Sequence, residues 1–150
     1  MNCDQKEILA RLKAEHPALC KLIPQVEEAF ALLKSAYDAG GKVMICGNGG
    51  SAADSEHIVG ELMKGFLKKR PIKGAQRAAF DALDGLPAGF ADKLQGALPA
   101  IALPCHTSLT SAYSNDVAAD MIFAQQVFGY GKPGDVLIAL STSGNSKNVV

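Results

Sequence analysis

Two loops rich in glycine and hydroxyl side chains hold the residues of this sequence that could do chemistry. Residues 47–51 read Gly-Asn-Gly-Gly-Ser, and residues 141–146 read Ser-Thr-Ser-Gly-Asn-Ser. Each loop leads into a predicted helix, whose first N–H groups and positive dipole end can hold an anion without a lysine or arginine. Such composition is also common in ordinary turns, but the two loops together favour the binding of a phosphate monoester.

A histidine and a glutamate follow the first loop on a helix predicted over residues 52–67, with Ser51 predicted as its N-cap. His57 and Glu61 are four residues apart, so their side chains project from one helix face. A carboxylate there could move a proton between adjacent carbon atoms. The pair could also bind a divalent ion such as Zn²⁺, although two ligands do not make a site. The alternative is an exposed ion pair on a solvated face.

Strands and helices alternate along the chain, which predicts an α/β protein with a doubly wound parallel sheet. The predicted buried strands are the short apolar runs 42–46, 100–103 and 135–140. Ligands of such sheets bind at the carboxyl ends of the strands, where both loops lie. The two loops are therefore expected to line one site.

Helical patterns surround these strands. Apolar residues at three- and four-residue steps over 5–39 predict two helices, divided at His16 because the residue before proline avoids the α region. The segment 71–99 has weak periodicity and is predicted to be a surface excursion with a short helix near 76–83. The basic run 68–70 is predicted to be a solvated helix end.

Composition excludes several classes of function. The formal net charge is +0 and the pI is about 6.8, so no global field attracts nucleic acid or anionic lipid. No apolar run approaches the ~20 residues that cross a bilayer. The four cysteines lack CxxC spacing, which indicates a reducing cytoplasm, and no dinucleotide or P-loop motif is present. We expect a soluble cytoplasmic protein with a small-molecule partner.

The two loops, together with the His57 and Glu61 pair between them, resemble the signature of the sugar isomerase (SIS) domain family, and within it the phosphoheptose isomerases. The resemblance runs from about residue 40 to residue 150. It implies a flavodoxin-like sheet, a helical region over 1–40 that packs on the domain and on partner subunits, and an SIS domain over 41–150 that is incomplete at its C-terminal end. It also implies a homotetramer with sites at subunit interfaces.

The same resemblance implies an activity and its residues. The reaction would be isomerisation of sedoheptulose 7-phosphate to D-glycero-D-manno-heptose 7-phosphate through an enediol, with Glu61 as the base. The resemblance implies that no cofactor would be required, and His57 and Glu61 would be the ligands if Zn²⁺ bound. The substrate-binding residues would be Asn48, Gly49, Gly50, Ser51, Ser141, Thr142, Ser143 and Ser146.

Three departures from the family pattern are visible. His106 stands where aspartate is usual and could cap a helix, Lys64 and its neighbours stand where an arginine is usual, and the segment 73–98 is longer than expected. Two alternatives stay open. One is a non-catalytic adaptor for a replication initiator or a sugar-phosphate sensor, which would not need Glu61. The other is that the 150-residue chain is inactive alone, because the family's catalytic histidine on a late helix would follow Val150.

Overall fold

The computed structural model describes residues 3–150 and contains a parallel sheet with helices on both faces. The strands are β1 (Val43–Gly47), β2 (Ala100–Ala102) and β3 (Val136–Leu140), in the spatial order β2-β1-β3. Every residue of β1 is buried, because this central strand is hydrogen-bonded on both edges and covered on both faces. The predicted α/β fold with a parallel sheet is confirmed.

The helices precede, separate and flank the strands. They are α1 (Cys3–Glu15), α2 (Ile23–Asp38), α3 (Gly50–Met63), α4 (Gly74–Asp81), α5 (Thr107–Asp116) and α6 (Ile122–Tyr130). Short 3₁₀ segments at Pro17–Leu22, Phe90–Lys93, Leu103–Cys105 and Ala119–Met121 connect them. Within residues 3–150, none of the helices combines the length and the apolar character that a membrane span requires.

The N-terminal region consists of the two predicted helices. His16 leaves the helical conformation (φ −131°, ψ 69°), and the following proline starts the 3₁₀ segment. Of the residues in α2, Ile23 and Ala36 are buried. Several apolar side chains of this region remain exposed, namely Ile8, Leu19, Leu22, Val26, Phe30 and Leu32. A partner subunit on this stripe stays a prediction.

The start and the end of α3 differ from the sequence prediction. Ser51 as the N-cap is wrong: Gly49 takes that position with φ 55°, ψ −120° and no side-chain cap bond. Glycine reaches this conformation because it has no Cβ atom, so the helix begins before the serine. The helix ends at Met63 rather than at residue 67, because Lys64 is extended (φ −137°, ψ 116°).

The prediction of a fully buried third strand is wrong for β3. Half-buried and exposed side chains alternate along it, and Leu137 is 44% exposed because it borders an open apolar groove beside Phe123 and Val127. The main core lies on the same side of the sheet. It contains Met44, Cys46, Leu103, Ile122 and Phe123. This core holds α6 against β1 and fixes the sheet edge at which the loops emerge.

Candidate active site

The two loops begin side by side at the carboxyl edge of the sheet. β1 and β3 pair over five residues, and the last aligned pair is Gly47 with Leu140. The next residue of each strand therefore starts its loop at the same level. This placement confirms that parallel pairing brings residues 47–51 and 141–146 together.

A pair of side-chain amides joins the first loop to the residues that follow the second loop. Asn48 Nδ2 donates to Asn148 Oδ1 at 2.8 Å, and Asn148 Nδ2 donates to Asn48 Oδ1 at 2.9 Å. Each amide donates one hydrogen bond to the other and accepts one from it. The orientation of Asn48 therefore depends on a residue that lies 100 positions later in the chain. Sequence reasoning missed Asn148, and its only signal was its position next to the second loop.

The first loop brings the start of α3 into close contact with the end of β1. A Cβ atom on Gly47 would lie 2.7 Å from Ser51 Cβ and 2.8 Å from the Ser51 carbonyl oxygen. Ser55 is fully buried one turn further along, and its hydroxyl donates to the same carbonyl at 2.7 Å. Glycine at position 47 therefore allows the helix to approach the strand closely enough to present its first turn at the sheet edge.

The second loop gathers its hydroxyls around Ser141. Ser141 Oγ lies 3.1 Å from Ser146 Oγ and accepts the Gly144 N–H at 3.1 Å. Ser143 Oγ lies 3.5 Å from Ser141 Oγ, while Thr142 is exposed. The Ser146 carbonyl accepts the N–H groups of the last two residues at 2.8 and 3.1 Å, which is the bonding of a helical turn. The loop thus forms a hydroxyl cluster that precedes a single hydrogen-bonded turn, and its hydroxyl groups can donate hydrogen bonds to an anion.

His57 and Glu61 form an exposed pair away from these loops. Their side chains are 78% and 51% exposed, and His57 Nε2 lies 3.8 Å from Glu61 Oε1. Glu61 lies eleven positions after Gly50, which corresponds to roughly 16 Å along the helix axis. Within one chain the structure therefore does not bring Glu61 to the hydroxyl cluster.

Glu61 borders a depression of about 460 Å³ between α3 and α1. Phe66, Lys68 and Arg70 line the same depression, and Lys68 also forms a close ion pair with Asp4 of α1. The hydrogen bond and charge of Lys68 hold the pKa of the Asp4 carboxyl below its ordinary value. The carboxylate of Glu61 thus lies in an environment with two cationic side chains and an aromatic ring.

The prediction that the basic run 68–70 is a helix end is wrong, because α3 already ends at Met63, and the run is only partly solvated. Arg70 is half-buried, and its guanidinium donates to two backbone carbonyls, those of Leu62 and Gly96, at 2.6 Å each. The prediction was wrong for this residue because its partners lie in other segments of the chain. Lys69 is exposed, as predicted.

A metal site is not assembled within the described residues, which contain no group of three or more metal-ligating side chains. His57 and Glu61 can supply two donors on one helix face. A four-coordinate zinc ion would therefore need further donors besides this pair.

His106 lies at the carboxyl end of β2, on the same edge of the sheet as the loops. It occupies the N-cap position of α5 without a side-chain cap bond, so the expected capping role is wrong. Its ring instead packs 5.3 Å from the ring of Tyr130, and its buried Nε2 atom has no hydrogen-bond partner among the described residues. Burial and the adjacent Glu56 raise the pKa of the neighbouring Cys105 thiol, which favours its protonated form.

Sequence comparison identifies relatives over most of the chain. The SIS domain profile matches residues 12–83, which include the first loop and α3. The phosphoheptose isomerase of Rhodospirillum rubrum is 42% identical over 127 residues, covering 85% of this chain and 54% of the relative. That of Citrifermentans bemidjiense is 39% identical over 147 residues, covering 95% and 64%. The chain thus spans about half to two thirds of the length of these relatives.

Solved structures show the same fold. The phosphoheptose isomerase from Neisseria gonorrhoeae superposes with a TM-score of 0.66 at 31% identity, covering 97% of this chain and 64% of that chain. The enzyme from Francisella tularensis superposes with a TM-score of 0.64 at 24% identity, which shows the fold alone, and covers 99% and 66%. With its parallel sheet and the Gly-Asn-Gly-Gly-Ser loop at the sheet edge, the chain is similar to the SIS domain over residues 12–83 and to phosphoheptose isomerases over most of its length.

Proposed function

We propose that this protein is a phosphosugar isomerase that converts sedoheptulose 7-phosphate to D-glycero-D-manno-heptose 7-phosphate in the cytoplasm. The observation that carries the proposal is the hydroxyl cluster of residues 141–146, joined through Asn148 to the loop 47–51. A phosphorylated sugar fits this edge of the sheet, and the names of the relatives supply the substrate class.

The phosphate would lie on the second loop. Ser141, Thr142, Ser143 and Ser146 would donate their hydroxyl protons to its oxygens, replacing the bonds that these hydroxyls now make with one another. The single turn after Ser146 would leave backbone N–H groups of the loop free to donate to the phosphate.

The first loop would face the carbon chain of the sugar. Asn48 and Ser51 would hydrogen-bond to sugar hydroxyls, and Gly49 and Gly50 leave space for the substrate because no side chain covers them. Asn148 would keep the Asn48 amide in one orientation. The hydrogen bonds from Asn48 and Ser51, together with the phosphate held by the second loop, would thus align the carbonyl end of the sugar.

Glu61 would be the base of the reaction. It would take the proton from C1 of the ketose, and the electrons of that C–H bond would form the C1–C2 double bond of an enediol as the carbonyl oxygen is protonated. Return of the proton to C2, with loss of the O1 proton, gives the aldose. This exchange conserves every atom and requires no cofactor. If Zn²⁺ bound, His57 and Glu61 would supply two of its ligands, and the ion would polarise the carbonyl.

The distance along α3 supports an active site that is shared between subunits. Glu61 lies roughly 16 Å from the start of the helix, where the two loops meet. This distance is greater than the length of an extended heptose phosphate whose phosphate is held at residues 141–146. The proposal therefore uses the loops of one subunit and Glu61 of another. The exposed apolar stripe of the region 1–40 would pack on partner subunits of a homotetramer, with 41–150 as the SIS domain.

One observation favours a second candidate, a non-catalytic sensor or adaptor that binds phosphosugars. Glu61 is half-exposed and lies apart from the anion loop of its own chain. In that case only the phosphate loop would be functional.

The test follows the aldose product by NMR during incubation of the natural protein with sedoheptulose 7-phosphate. The proposal predicts conversion of the phosphorylated ketose and, because the phosphate anchor is absent, at least a ~100-fold lower rate with unphosphorylated sedoheptulose. Binding of the phosphorylated ketose without conversion would support the sensor instead. Equal rates with both sugars would contradict the phosphate site.

A further inference from the structure

Arg70 connects the end of α3 to the surface excursion that follows it. Its Nη2 atom donates to the Leu62 carbonyl and its Nε atom donates to the Gly96 carbonyl, both at 2.6 Å. Leu62 is the residue after Glu61, in the last turn of the helix. One half-buried guanidinium therefore contacts the backbone next to the proposed base and the far end of the excursion.

The backbone around Arg70 closes the base of this excursion. The Gly96 N–H donates to the Arg70 carbonyl at 2.6 Å, and the Leu98 N–H donates to the Leu62 carbonyl at 3.0 Å. Pro71 and Gln95 form an isolated antiparallel bridge. We call this set, residues 70–71 with 95–98, the neck of the excursion. Through the neck, the segment 73–98 is fixed to the helix that carries Glu61.

The Leu62 carbonyl is one that the helix itself leaves without a partner. The last four carbonyls of a helix have no intrahelical donors, and a cation near them interacts favourably with the dipole. Here Arg70 and the Leu98 N–H both donate to that oxygen. The last turn of α3 is therefore held by two donors from outside the helix.

Arginine is required for this geometry. Its planar fork donates in two directions at once, whereas lysine has a single compact ammonium group on a flexible stem. A lysine at position 70 would keep the charge and most of the apolar stem but would not hold both carbonyls in the same way. Arg70→Lys therefore separates the two-carbonyl contact from the charge.

We infer that Arg70 is a positioning residue for Glu61. Arg70 fixes the last turn of α3 and the neck, so that the Glu61 carboxylate faces the depression that it shares with Phe66 and Lys68. This inference rests on the proposed function, in which Glu61 is the base. Because a displacement of about 1 Å can lower the rate by roughly 100-fold, a loose helix end would reduce turnover without preventing substrate binding.

The first experiment compares Arg70→Lys with Lys69→Ala, a matched change at the exposed neighbouring cation. We expect Arg70→Lys to lower kcat by roughly 10- to 100-fold, with KM for the phosphosugar within about twofold. Lys69→Ala is expected to retain the wild-type kcat. A melting curve confirms that Arg70→Lys is folded, and an unchanged kcat in the folded variant would overturn the inference.

The second experiment repeats Arg70→Lys in a Glu61→Gln background. If Arg70 acts through Glu61, the added substitution lowers the residual rate by less than about twofold, because effects of residues that act as a unit are not additive. An equal further loss in both backgrounds would assign Arg70 a general structural role and overturn the inference. If Glu61→Gln alone keeps the wild-type rate, the proposed function fails, and this inference fails with it. If Glu61→Gln is inactive while Arg70→Lys keeps its kcat, the inference alone fails.

Discussion

Replacing Gly47 with alanine tests whether the close approach of α3 to β1 builds the site. The new Cβ atom would lie 2.7 Å from Ser51 Cβ and 2.8 Å from the Ser51 carbonyl oxygen, so backbone as well as side chain must move. Extra methyl groups in well-packed regions cost typically about 1–3 kcal/mol. Taking about 2 kcal/mol, the melting temperature of a chain of this size should fall by about 4–8 °C.

Two neighbouring glycines provide matched controls. A Cβ atom on Gly50 would meet no atom within 4 Å, and this residue lies inside the helix, so Gly50→Ala should preserve or raise the stability by about 0.5–1 kcal/mol. Gly49 also faces open space but has φ 55°, so Gly49→Ala should cost about 1–3 kcal/mol through backbone strain alone. Comparison of the three alanine variants separates the cost of steric crowding at Gly47 from the cost of backbone strain at Gly49.

The assay combines thermal melting with calorimetry of phosphosugar binding. Gly47→Ala is expected to weaken binding as well as folding, because moving the first turn of α3 displaces Asn48 from Asn148. Gly50→Ala should melt at or above the wild-type temperature. A Gly47→Ala protein with the melting temperature and the affinity of the wild type would refute the role assigned to this close approach.

Further changes test other parts of the structure. Hydrogen bonds from Lys42 hold the pKa of Asp135 down at about 2, so this carboxylate stabilises the fold above the unfolded value of about 3.9. Asp135→Asn should therefore melt lower than wild type at pH 7, with a difference that shrinks as the pH falls to 2; a constant difference would contradict this. Asn148→Ala should weaken phosphosugar binding measured by calorimetry, and unchanged affinity would show that the amide pair is dispensable. Ser143→Asp should abolish that binding by setting a carboxylate against the phosphate, and retained affinity would remove the loop from the site. Light scattering should show a tetramer that Val26→Glu dissociates, whereas a wild-type monomer would contradict the proposed assembly.

The sheet and its helices were predictable because their signals are local. Short apolar runs gave the strands, and a proline after His16 marked the break between the first helices. The N-cap was not predictable from residue type, because the positive φ of Gly49 moved the helix start ahead of Ser51. The half-exposed Leu137 was likewise missed, since its burial depends on what packs over β3.

The sequence likewise predicts one part of the candidate site and does not predict another. Parallel strands end at one edge, so the meeting of the two loops followed from the sequence. The Asn48 and Asn148 contact joins residues 100 positions apart and depends on the register of β1 and β3, which the sequence does not display. The contacts of Arg70 depend on the return of the chain at Gly96, whereas the composition of residues 68–70 by itself predicts a solvated helix end.

Exchange of substrate hydrogen with deuterated solvent measures the proposed chemistry most directly. The natural protein, incubated with sedoheptulose 7-phosphate in D₂O, should place deuterium at C1 of the ketose and at C2 of the aldose, as followed by NMR. Glu61→Gln should lower this exchange by roughly 10²–10⁴ with phosphosugar affinity retained, and Asp54→Asn, at an exposed carboxylate on the same helix, should leave it unchanged. Exchange at the wild-type rate in Glu61→Gln would contradict the assignment of Glu61 as the base.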